Sequence, residues 1–113
     1  MKNNDRIIIE KIQKYCRDIS DLKNKYNNSF ALFEEDISFQ YSCNMCIIQI
    51  GELVGRLSDS FRDSHNDIPW QSIKGMRNLY AHDYDKIDLD IVWNTLQTDI
   101  PEFNSKLQII LDS

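Results

Sequence analysis

The N-terminal quarter of the chain carries an apolar stripe with the period of an α-helix. Its members recur at alternating steps of four and three residues: Ile8, Ile12, Tyr15, Ile19, Leu22 and Tyr26. This spacing puts the side chains on one face of a helix, and an apolar face of that length is normally buried. The stripe therefore predicts a long amphipathic first helix that packs against the rest of the chain.

Helical periodicity resumes after a polar break at Asn27-Asn28-Ser29. Short polar side chains favour turns and helix caps, so Ser29 is expected to be an N-cap. One long helix, with a separate first turn as a variant, is predicted from Phe30 to Leu57. Its apolar repeat runs through Phe33, Ile37, Tyr41, Met45, Ile48 and Leu53. Gly51 and Gly55 share a face of this helix, where missing side chains permit close packing.

The C-terminal half predicts a loop followed by further helices. Ser58 to Asp67 is polar and turn-rich, and Pro69 suits the first position of a helix that ends near Ala81. Asp88 is expected to cap the next helix, and Pro101 to start or kink its final segment. No alternating apolar-polar run predicts a strand. The sequence therefore predicts an all-α fold, an antiparallel helical bundle of four to five helices, in a single domain spanning residues 1–113.

The acidic composition argues against binding nucleic acid through bulk charge. The chain has 113 residues, a formal net charge of −5 and a pI of about 4.9, so any contact with RNA must be local. The basic first helix either contacts phosphates or is a solvated face. No apolar run reaches the ~20 residues of a membrane-spanning helix, and no signal peptide is recognisable. A cytoplasmic protein is expected, with neither a membrane nor a DNA partner.

Cys43 and Cys46 form a C-x-x-C spacing, which in other contexts binds zinc or performs redox chemistry. Here the pair lies inside a predicted helix, with no second pair and no histidines at ligand spacing. Together with Cys16 the cysteines are therefore expected to be buried, reduced and structural, and no metal or cofactor is predicted.

Arg77, His82 and Tyr84 bring a permanent cation, an imidazole and a phenol within eight residues. RNA cleavage without a metal needs a base near the 2′-hydroxyl, an acid for the leaving 5′-oxygen and a cation near the phosphorus. Arg77 and His82 suit these roles. They lie about 140° apart around a helix and are expected to meet if the helix ends between them. The alternative is a helix end carrying residues that favour its dipole.

Other polar residues of the chain either support this chemistry or have an ordinary structural role. Asn78 can orient Arg77 or be a surface residue, and Glu52 can hold Arg77 by a charge-assisted hydrogen bond or face solvent. Tyr84 can be a nucleophile or a modification site, or pack its ring with the hydroxyl at the rim. His65 is expected to be a loop histidine.

The run from Ile68 to Tyr84, IPWQSIKGMRNLYAHDY, contains the pattern R-x-x-x-x-H-x-Y. It resembles the signature of HepT-like proteins of the HEPN superfamily, as do the earlier Ile50-Gly51-Glu52-Leu53 and the later Val92-Trp93. The resemblance spans about Phe30 to Leu111. It implies a helical bundle that forms a homodimer with paired R…H motifs across a cleft.

The resemblance also implies a function. It points to the toxin of a toxin–antitoxin pair, a metal-independent endoribonuclease with RNA as substrate, Arg77 and His82 catalytic and Asn78 supporting. The implied partner is a nucleotidyltransferase antitoxin of the MntA type, and Tyr84 matches the tyrosine that receives AMP. Phosphate on Tyr84 would repel the RNA backbone. The alternatives are a non-catalytic, substrate-binding or regulatory subunit of a minimal nucleotidyltransferase, and a purely structural helical dimer.

Overall fold

The protein, described from Met1 to Ser113 by a computed structural model, is built of helices and contains no strand. Its α-helices are α1 (Asn3–Lys25), α2 (Phe30–Glu35), α3 (Ile37–Val54), α4 (Asp59–Ser64), α5 (Trp70–His82), α6 (Leu89–Asn94) and α7 (Ile100–Asp112). A short 3-10 turn (Tyr84–Lys86) follows α5, and a π turn (Thr95–Asp99) joins α6 directly to α7. Four long helical segments, called rods below, therefore form the bundle: α1, α3, α5 and the continuous run from α6 through α7. This confirms the predicted all-α class. No helix combines the length and apolar character needed to cross a membrane.

Helix α3 is the central rod, and it packs against both α1 and α5. The α1 stripe behaves as predicted, because Ile8, Ile12 and Ile19 are buried. On α3, Phe39, Ile47 and Ile50 have no exposed surface. A helix with neighbours on two sides must be apolar over most of its circumference, and this explains why α3 shows weaker amphipathic patterning than α1.

The predicted long helix from Phe30 to Leu57 is divided at Asp36. Asp36 has an extended backbone, and its carboxylate accepts a hydrogen bond from the Phe39 amide at 2.9 Å, so it ends α2 and caps α3. The uninterrupted helix is therefore wrong, and the variant with a separate first turn is nearer to the structure. The position of the break was not predicted, because the apolar repeat continues across it. As a result Ile37 and Tyr41, which the repeat assigned to the core, are 58% and 57% exposed.

The predicted loop after Ser58 contains the short helix α4. Ser58 caps it by accepting a hydrogen bond from the Phe61 amide. The carboxylate of Asp5, which is buried, accepts hydrogen bonds from the Ser58 amide at 2.9 Å and the Ser58 hydroxyl at 2.7 Å. This contact fixes the start of α1 to the start of α4. The Ser29 cap is confirmed by its bond from the Leu32 amide.

The rod from α6 to α7 departs from regular α-helix just before Pro101. Pro101 has no N–H to donate, so a carbonyl of the preceding turn loses its helical partner. Lys23 of α1 compensates, because its ammonium donates to the Leu96 carbonyl at 2.9 Å and to the Gln97 side chain at 3.1 Å. Pro101 therefore lies in the first turn of α7, as predicted for the start of the final segment, and the helical run continues through it. Asp88 is the N-cap of α6, as predicted, and its carbonyl accepts from the Val92 amide at 3.2 Å, but its carboxylate makes no cap bond.

The cysteines are free thiols inside the bundle, as expected. Burial raises the pKa of Cys16 and Cys43 to about 12 and that of Cys46 to about 11. Thiols in this state stay protonated at neutral pH and are poor nucleophiles and metal ligands. The C-x-x-C pair is therefore a packing feature of α3.

Candidate active site

The site begins with a close approach of two helices at Gly51. A Cβ placed on Gly51 would lie 2.9 Å from the Cβ of Arg77 and 3.1 Å from the carbonyl oxygen of Ile73. Real Cβ atoms do not come so near to such atoms, so only glycine fits this position unless α3 and α5 separate. The contact brings the next residue on α3, Glu52, beside α5.

Arg77 is held in place by two polar neighbours. Its Nε donates to Glu52 Oε2 at 2.9 Å, and its Nη1 donates to Asn78 Oδ1 at 3.1 Å. The Arg77 and Glu52 side chains are 39% and 43% exposed, so solvent screening makes this ion pair a minor contributor to stability. Its consequence is orientation, because one edge of the guanidinium is fixed and the remaining N–H groups point away from Glu52. The predicted Glu52–Arg77 contact is confirmed.

His82 lies against the same guanidinium. Its Nε2 is 3.4 Å from Arg77 Nη1, and the ring is otherwise exposed. The two residues meet even though α5 runs through His82, so the helix does not have to end between them as the sequence suggested. The length of the Arg77 side chain bridges the angle around the helix.

Tyr84 begins the 3-10 turn just beyond the helix. Its hydroxyl donates to Gln40 Oε1 at 3.3 Å, and its ring contacts those of Tyr41 and Tyr80. Burial raises the pKa of Tyr84 to about 12. The ring is thus packed, as in the second of the two sequence readings, and the hydroxyl is hydrogen-bonded within the protein in a residue of intermediate burial. His65 lies at the end of α4, where its ring packs on Phe61.

The end of α5 is fixed by residues that the sequence analysis missed. The Asn44 amide donates to the carbonyl of Tyr80 at 3.3 Å, and the Tyr80 hydroxyl donates to Thr95 at 3.2 Å. These bonds tie the last turn before His82 to α3 and to the π turn. The only sign of this role in the sequence is that Asn44, a polar residue, lies seven residues after Ile37, at a helical spacing where an apolar residue is expected.

A polar cleft of about 510 Å³ opens beside Arg77, between α3 and α5. No hydrophobic residue lines it. Its charged and amide lining comes from Glu52, Arg56, Gln71, Lys74, Arg77 and Asn78, and its floor from Gly51, Gly55 and Gly75. The sequence analysis missed Arg56 and Lys74, because isolated cations give no sign of the surface on which they lie. Arg77 thus contacts the His82 imidazole and also lines a polar cleft in which cations outnumber carboxylates.

Comparison with known proteins identifies the family. A family model described as "Ribonuclease HepT-like" matches residues 7–110. The chain belongs to this HepT-like family. It is 28% identical over 100 residues to the "Probable ribonuclease HepT" of Thermococcus cleftensis, covering 88% of this chain and 83% of the relative. It is 26% identical over 110 residues to a "Putative RNase" of Methanocaldococcus jannaschii, covering 97% and 89% of the two chains.

A shorter match is the 39% identity over 62 residues with a "Putative RNase" of Caldanaerobacter subterraneus subsp. tengcongensis, which covers 55% of each chain. No solved structure matches. The expected HepT-like membership is confirmed, and with it the expectation that the R-x-x-x-x-H-x-Y run lies in a helical bundle.

The Gly51 contact generates a stability prediction. Gly51→Ala should lower the free energy of unfolding by about 1–3 kcal/mol, because the added methyl group forces α3 and α5 apart. Gly75→Ala is the matched control, since a Cβ there meets nothing within 4 Å. That variant should raise the free energy of unfolding by about 0.5–1 kcal/mol, because alanine is the better helix former. Urea unfolding measures both, and equal stabilities for the two variants would contradict the tight contact.

Proposed function

We propose that this HepT-like protein is a metal-independent endoribonuclease that acts as a toxin in the cytoplasm. The observation that carries the proposal is the contact of Arg77 with His82, with the guanidinium oriented by Glu52. A fixed cation beside an exposed imidazole is what a phosphodiester requires, because negative charge grows on the phosphoryl oxygens in the transition state. The family's description as a ribonuclease supports the same reaction.

The chemistry is an internal transfer within RNA. When an RNA phosphate replaces His82 as the partner of Arg77 Nη1, the freed Nε2 takes the proton from a 2′-hydroxyl. The 2′-oxygen then bonds to the adjacent phosphorus while the bond to the 5′-oxygen breaks. A protonated imidazole gives its proton to the departing 5′-oxygen. The products are a 2′,3′-cyclic phosphate and a 5′-hydroxyl end. Arg77 stabilises the phosphoryl oxygens, and Asn78 helps to hold Arg77.

This scheme uses two imidazoles, and each chain brings one His82. We propose that a homodimer supplies the second across a two-fold axis. An exposed apolar patch suits this interface: Ile37, Tyr41 and Met45 follow one face of α3 at 58%, 57% and 55% exposure, and Leu79 of α5 is also exposed, at 45%. The patch adjoins the site, because the Tyr41 ring contacts Tyr84 and Leu79 follows Asn78. Two patches placed face to face would bring two R…H motifs together.

We further propose that a nucleotidyltransferase antitoxin of the MntA type inactivates the protein at Tyr84. The Tyr84 oxygen would attack the α-phosphorus of ATP, release pyrophosphate and lose its proton. The attached AMP would place negative charge and bulk two residues from His82, where it would repel and obstruct the RNA backbone. The position of Tyr84 just beyond α5, two residues after His82, supports this assignment, and the attack requires that its hydroxyl first release Gln40.

Cleavage tests the catalytic proposal. His82→Gln should lower the rate of RNA cleavage by about 10²–10⁴-fold, because the base is lost while the fold is retained. His65→Gln changes the only other histidine and should leave the rate unchanged. Purified proteins are incubated with total RNA, and new 2′,3′-cyclic phosphate ends are counted. Intact RNA with folded wild-type protein would favour the non-catalytic subunit instead.

Self-association tests the interface. Met45→Glu should convert the dimer to monomer at micromolar concentration, because a carboxylate would be buried against an apolar surface. Ile109→Glu is the matched control, since Ile109 is a 67% exposed apolar residue on α7. Sedimentation velocity measures the mass of each. A dimer that persists in Met45→Glu would exclude this patch.

Mass spectrometry tests the modification. After co-expression with a nucleotidyltransferase antitoxin of the MntA type, trypsin should release residues 78–86 carrying adenylyl groups on Tyr84. Tyr84→Phe should stay unmodified and remain active in the presence of that enzyme. Tyr41→Phe, which changes the adjacent ring, should still be modified. Adenylylation elsewhere in the wild-type chain would refute the assignment to Tyr84.

A further inference from the structure

Two cations in the cleft beside Arg77 have no partner within the protein. Arg56 and Lys74 both line the cleft. Neither takes part in any of the four salt bridges, which pair Lys14 with Asp18, Arg62 with Asp59, Arg77 with Glu52 and Lys86 with Asp83. Both side chains are exposed. Cations gathered in a concave polar surface without carboxylates to neutralise them raise the local concentration of anions.

The charge of the cleft is opposite to that of the whole protein. Arg56, Lys74 and Arg77 outnumber the single carboxylate of Glu52 in its lining, whereas the chain as a whole carries −5. An acidic protein that binds a polyanion must do so through a local basic surface. This cleft meets that requirement and ends at Arg77, next to His82.

The helix geometry sets the order of Arg77, Lys74 and Arg56 along the cleft. Lys74 and Arg77 are three residues apart on α5, so they lie on one face about 4.5 Å apart along the helix axis. The Lys74 stem lies close to Gly55 of α3, since a Cβ placed on Gly55 would be in ordinary van der Waals contact with Lys74 Cε, at 3.5 Å. Arg56 follows Gly55 directly. The cations therefore extend from Arg77 toward the start of α5.

Gly75 adds an independent observation. Glycine inside a helix costs about 0.5–1 kcal/mol relative to alanine, and nothing packs within 4 Å of a Cβ placed there. Packing therefore does not require this glycine. It lines the cleft between Lys74 and Arg77, where a bare backbone keeps the floor open to a ligand.

We propose that this cleft is a binding site for RNA backbone phosphates adjacent to the cleaved one, with Lys74 and Arg56 contacting them in turn. The inference rests on the proposed ribonuclease function and deepens it. The contacts recognise phosphate rather than bases, so they set the position of the RNA strand without selecting its sequence. Gly75 leaves the space that the strand occupies.

The test is RNA binding by His82→Gln protein, which holds its substrate without cutting it. The probe is a fluorescent single-stranded oligoribonucleotide of mixed sequence, and anisotropy gives Kd at several KCl concentrations. Lys74→Gln and Arg56→Gln should each weaken binding roughly tenfold. Each should also lower the slope of log Kd against log[KCl] by about 0.7, the value for one phosphate contact with a single strand. Gly75→Glu, which adds an anion to the cleft, should weaken binding further.

Lys11→Gln and Arg17→Gln on α1 are the matched controls and should change neither quantity. If they lower the slope and the cleft variants do not, RNA binds the basic first helix and the proposal is overturned. Cleft variants that lose binding of AMP or inorganic phosphate but keep the RNA slope would make this a small-anion site, which also overturns it.

Failure of the proposed function gives a different result. Wild-type protein that cuts RNA while the cleft variants bind normally removes only the phosphate site. A His82→Gln protein that binds no RNA, together with a wild type that cuts none, removes both proposals. If the wild type cuts RNA, and Lys74→Gln in the His82→Gln background shows the expected loss of affinity and of salt slope, both proposals are supported.

Discussion

The close contact of α3 with α5 at Gly51 governs the geometry of the rest of the site. Because the two backbones nearly touch there, Glu52 reaches the guanidinium of Arg77. Arg77 in turn meets His82 one and a half turns later on α5. The same contact forms one end of the polar cleft. A change of a few tenths of an ångström in the helix separation would thus alter the Arg77–His82 contact and the polar cleft together.

The rigid surroundings of this contact come from polar bonds at the ends of the rods. Asp5 ties α1 to α4, Lys23 ties α1 to the π turn before Pro101, and Asn44 ties α3 to the last turn of α5. Each of these side chains satisfies a backbone group that the helices themselves leave unpaired. The apolar core determines which rods are neighbours, and these bonds determine how they are positioned along their lengths.

Local patterns in the sequence were sufficient for some features and insufficient for others. The α1 stripe and the Ser29 cap depend on residues close together in the chain, so both could be predicted. The break at Asp36 could not, because the apolar repeat through Ile37 and Tyr41 continues as though the helix were unbroken. For the site, the nearness of Glu52 to Gly51 suggested its contact with Arg77. Arg56 and Lys74 join the cleft only through the packing of α3 on α5, which no single segment of sequence encodes.

The raised pKa of Tyr84 has a kinetic consequence. With a pKa of about 12, roughly one phenol in 10⁵ is ionised at pH 7. A phosphoryl donor that reacts only with the ionised phenolate would therefore find very little of the reactive form. Uncatalysed modification of Tyr84 by free nucleotides would be very slow. Any enzyme that acts on this hydroxyl must bring a proton acceptor and displace the hydrogen bond to Gln40. Burial thus lowers the uncatalysed reactivity of the Tyr84 hydroxyl.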